Sequence, residues 1–110
     1  MQRSVEAGEL VTLDRCDTII DGLRVKRVGV HTFELVSRFV DEVVAVPDET
    51  IFENVLWTME RCKLVVEGAA AAPVAALRSG LVQAPPGTKV VCVLSGGNLD
   101  VSQLRGLRWN

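Results

Sequence analysis

Five apolar residues in succession, Val90-Val91-Cys92-Val93-Leu94, end abruptly in Ser95-Gly96-Gly97-Asn98. A β-branched run of this length, bounded by turn residues, is the pattern of a strand buried on both faces. Such a strand demands a neighbour beside it and helices above and below, so this stretch restricts the chain more than any other. Val43-Val44-Ala45-Val46, stopped by Pro47, repeats the pattern in shorter form. Two strands joined through helices pair in parallel with a right-handed crossover. The expected fold is therefore α/β: part of a three-layer sandwich, with a short parallel sheet from strands near 42–46 and 89–94 and helices covering it.

Helical spacing fills the intervals. Phe33, Val36 and Val40 share a face of a helix expected over 32–40. Asp48 has the chemistry of an N-cap, and Ile51, Phe52, Val55, Leu56, Met59 and Cys62 form an apolar stripe behind it. Arg61 and Lys63 suit the dipole at that helix's end. The small-residue run after Glu67-Gly68 reads as a helix buried on most sides, with Pro73 either opening it or distorting it. Asp21-Gly22 marks a tight turn, Gln83 to Thr88 a Pro-Pro-Gly loop, and Val101 to Leu104 a last short helix. Residues 1–16 hold at most one short helix.

A length of 110 residues fits a single domain, and 48% hydrophobic with 24% charged residues places it among globular chains. A net charge of −2 with both signs dispersed gives no basic stripe, which argues against a nucleic-acid partner. Arg24, Lys26 and Arg27 read as a solvated cluster. Cys16, Cys62 and Cys92 lack metal or disulfide spacing, so reduced thiols in the cytoplasm are expected, with Cys92 as a small core residue. The N-terminal residues lack an apolar signal region, and no stretch reaches the ~18 apolar residues of a membrane span. His31 has no nucleophile placed beside it by any motif.

Two places could hold chemistry. Ser95-Gly96-Gly97-Asn98 follows the longest apolar run, and in open parallel sheets ligands gather where strands end. Two glycines permit a sharp turn and close approach of a ligand, and the Ser95 hydroxyl can donate to a ring nitrogen. The same residues also suit an ordinary strand-to-helix turn. Glu67, before Gly68, either starts a helix or faces a cleft.

These places recur together in a known order. Asp17-Thr18-Ile19-Ile20-Asp21-Gly22-Leu23-Arg24-Val25-Lys26, Thr32-Phe33-Glu34-Leu35-Val36, Asp41-Glu42-Val43-Val44, Lys63-Leu64-Val65-Val66-Glu67-Gly68-Ala69 and Val93-Leu94-Ser95-Gly96-Gly97-Asn98-Leu99-Asp100 succeed one another along nearly the whole chain. In this the sequence resembles the fold-type II pyridoxal phosphate (PLP) enzymes, specifically threonine dehydratase (threonine ammonia-lyase) and the similar serine racemase. The resemblance implies that residues 1–110 form a single truncated domain, the C-terminal part of that family's large domain. It implies that Ser95 hydrogen-bonds the pyridine nitrogen of PLP, with Gly96, Gly97 and Asn98 in the same motif. It also implies that Glu67 and Gly68 line the cofactor cleft. A neutral partner on the nitrogen keeps the ring less electron-withdrawing than a carboxylate would, which suits β-elimination. The chain departs from the family pattern at Ile20, Ala70 and Pro73.

The resemblance also shows what is missing. The Schiff-base lysine and the glycine-rich phosphate loop lie upstream in family members, and none of Lys26, Lys63 and Lys89 stands in the lysine's motif. A single serine hydrogen bond of ~1 kcal/mol cannot hold the cofactor in water. The chain alone is therefore expected to bind no PLP and to be inactive as a lyase. Threonine or serine deamination would belong to a longer protein. The alternative is a non-catalytic α/β module that homo-oligomerises or complements a separate N-terminal half through open strand edges.

Overall fold

The first helix, α1 (Gln2–Ala7), stops at Gly8, whose φ of 71° lies in the left-handed region that closes helices. The computed structural model describes residues 1–105 and divides the chain into two compact units, Met1–Ala45 and Val46–Asn110. In the first unit α1 packs on α2 (Val30–Phe39), which begins two residues before the expected start. Ser4 is buried, and its hydroxyl accepts from the Val11 amide at 3.0 Å. The long connection between the helices is tied by backbone and side-chain bonds. The Leu13 amide donates to the Lys26 carbonyl at 2.9 Å, and Lys26 Nζ donates to the Asp14 carbonyl at 3.0 Å. Asp21–Leu23 makes the expected tight turn, as a single 3-10 turn. The basic cluster is exposed, as its composition suggested.

The second unit is built on α3 (Asp48–Cys62) and α4 (Gly68–Arg78), which pack against each other. Asp48 is the first helical residue and Pro47 the cap, so Asp48 and Glu49 face the positive end of the helix dipole. Ile51, Phe52 and Val55 of the apolar stripe are buried, whereas Cys62 at its end is exposed. Lys63 closes α3 with a φ of 58°, a left-handed conformation that a side chain makes unfavourable by roughly 1 kcal/mol. Residues 64–67 then return the chain, and α4 lays Ala70, Ala71, Ala75 and Ala76 wholly into the packing. Methyl-sized side chains let two helix backbones approach closely. Pro73 does not open α4; the helix starts at Gly68 and runs through it. The proline ring leaves the Ala69 carbonyl without its helical donor, and burial of the alanine face offsets that loss.

The expected sheet does not form. Among the described residues there is no strand, and the regular structure consists of helices and 3-10 turns. The segment 89–94 keeps a strand's two-residue alternation, with Cys92 and Leu94 half-buried between exposed neighbours. Its valines face solvent, however: Val91 is 86% and Val93 70% exposed. The segment near 42–46 is likewise free of any ladder, with Val43, Val44 and Val46 half-buried. Five consecutive apolar residues report a tendency to be buried on two sides. A ladder also needs a second backbone spaced for pairing, and no described segment supplies one to either stretch. Cys92 is correspondingly half-buried rather than a core residue, and Lys89 is exposed.

Candidate functional site

The two candidate segments named from sequence lie in the same unit, and the fold brings them into contact. Glu67 is the half-buried N-cap of α4, extended at φ −74°, ψ 164°, and its side chain makes no capping bond. Its amide instead donates to the carbonyl of Gly96 at 3.1 Å. A Cβ built on Gly96 would run into the Glu67 carboxylate, and one on Gly97 would sit 3.0 Å from the Val65 carbonyl oxygen. Both glycines are thus explained by close passage of residues 65–67. The signal for this was in the sequence, as paired glycines, but it did not say which segment passes.

The remaining members take up positions around this contact. Ser95 is exposed, and its hydroxyl makes no hydrogen bond to another described residue. Asn98 is exposed, and Gly68 is buried as the first residue of α4. The Leu99 amide donates to the Gly97 carbonyl at 2.8 Å, closing the turn. Asp100 caps the 3-10 turn Val101–Leu104 by accepting from the Ser102 amide at 2.8 Å. Bonds from Ser102, side chain first and backbone second, hold the Asp100 carboxyl below its ordinary value of 3.8.

A pyridoxal ring offers three handles: its nitrogen, its aldehyde and its phosphate. The free Ser95 hydroxyl suits the nitrogen. The described residues do not extend that fit to the other two. Lys26 and Lys63 spend their amines on the carbonyls of Asp14 and Glu60, and Lys89 projects from an exposed stretch. The residues present therefore match one end of the group and leave its covalent and phosphate attachments unprovided. Among the described residues no group of three His, Cys, Asp or Glu could hold a metal, and no helix is long and apolar enough to cross a membrane.

The chain belongs to the family described as pyridoxal-phosphate dependent enzymes, whose profile matches residues 1–96. Among curated proteins it is similar to the L-threonine ammonia-lyase of Geobacter sulfurreducens, 46% identical over 101 residues that make up 92% of this chain and 25% of that protein. The L-threonine ammonia-lyase of Thermotoga maritima is 42% identical over 94% of this chain and 25% of its own length. Among solved structures, maize serine racemase superposes with a TM-score of 0.81 at 33% identity, over 94% of this chain and 33% of that one. A fungal L-serine ammonia-lyase from Rhizomucor miehei gives 0.76 at 29% identity, over 94% and 35%. The chain spans about a quarter of the length of the threonine ammonia-lyases it matches.

Proposed function

We propose that this chain is the C-terminal part of the catalytic domain of a PLP-dependent lyase that converts threonine or serine to a 2-oxo acid and ammonia, and that it does not perform the reaction alone. The contact between the Glu67 amide and the Gly96 carbonyl is the observation behind this reading. It sets a half-buried carboxylate beside a turn whose serine hydroxyl is free to bond a ring nitrogen. When bound, PLP supplies the electron sink for elimination. Ser95 orients the ring through its nitrogen, and the packed Gly96–Glu67 contact keeps that turn from shifting. Attachment of the aldehyde and phosphate falls to residues outside this chain, in a separate N-terminal half or the remainder of a longer polypeptide. The cytoplasm is the compartment in which such chemistry and three free thiols fit together.

The test is ammonia release from threonine and serine in the presence of PLP. The chain alone is expected to match a no-protein control; ammonia above it overturns the claim of inactivity. The same chain joined to the upstream part of the Geobacter sulfurreducens enzyme is expected to deaminate threonine, with Ser95→Ala at least ~10-fold slower. An active chimera indifferent to Ser95→Ala removes the role given to that hydroxyl.

A second reading, a non-catalytic association module, draws on the exposed Val90, Val91 and Val93, since such surfaces seek partners. Light scattering on the purified chain separates the two. A stable homo-oligomer that takes no upstream half favours association; a monomer that is recruited by that half favours the lyase reading.

A further inference from the structure

We draw no further inference here: the strongest candidate, the exposed apolar patch of Val90, Val91 and Val93 ahead of the Ser95 turn, carries nothing, because nothing in the structure shows what covers it in a chain that spans about a quarter of the length of the threonine ammonia-lyases it matches.

Discussion

The amide of Glu67 is hydrogen-bonded to the carbonyl of Gly96 at 3.1 Å, which joins the start of α4 to a turn 29 residues further on. The contact is close enough that the two glycines of the turn answer to different parts of the passing segment. Gly96 faces the end of a flexible carboxylate, whereas Gly97 faces the fixed carbonyl of Val65. Gly97→Ala is therefore expected to destabilise the chain by about 1–2 kcal/mol, because backbone must give way. Gly96→Ala should cost less, since the Glu67 side chain can swing aside. Urea unfolding of the two variants checks the order; a larger loss at Gly96 contradicts the packing described.

Thr58 carries the one buried side-chain polar atom that has no partner among the described residues. It is 1% exposed, and its hydroxyl makes no hydrogen bond. A buried unpaired hydroxyl opposes folding, and an apolar group of the same shape removes that penalty. Thr58→Val is expected to raise stability by about 1 kcal/mol, seen as a higher urea midpoint at unchanged slope.

Pro73 lies inside α4, six positions from its start counting Gly68 as the first. An internal proline costs a helix about 3 kcal/mol, and its stiffening of the unfolded chain returns up to about 1 kcal/mol. Pro73→Ala should accordingly stabilise the chain by about 2 kcal/mol. Thermal unfolding measures this, and the absence of any gain would contradict the cost assigned to the internal proline.

The Asp100 carboxyl is held low by its bonds from Ser102. A depressed folded value means that this bonding contributes above the ordinary 3.8 and is lost as pH falls through the lower folded value. The Ser102 amide resonance should titrate with a midpoint below 3.8, and Ser102→Ala should move the Asp100 midpoint upward toward that ordinary value. A midpoint at or above 3.8 in the unmodified chain contradicts the capping bond.

Local pattern sufficed for much of this protein. The apolar stripe of Ile51, Phe52 and Val55, the turn at Asp21-Gly22 and the short helix at Val101–Leu104, which is of the 3-10 type, all follow from spacing and residue chemistry over a few positions. The family was legible as well, because ordered segments from Asp17 to Asp100 preserve it and residues 1–96 match its profile. Ser95 and Glu67 stood out by position, one directly after the longest apolar run and one directly before Gly68 and the small-residue run. What spacing could not supply was pairing between distant segments. Val90 to Leu94 has the composition of a buried strand, but a strand exists only where another backbone lies beside it, and no described segment does. The same limit explains why Glu67 meeting Gly96, and Asn54 Oδ1 accepting from Arg78 Nη1, were invisible beforehand: each joins residues more than twenty positions apart, and only the return of α4 along α3 and of the turn onto residues 65–67 brings them together.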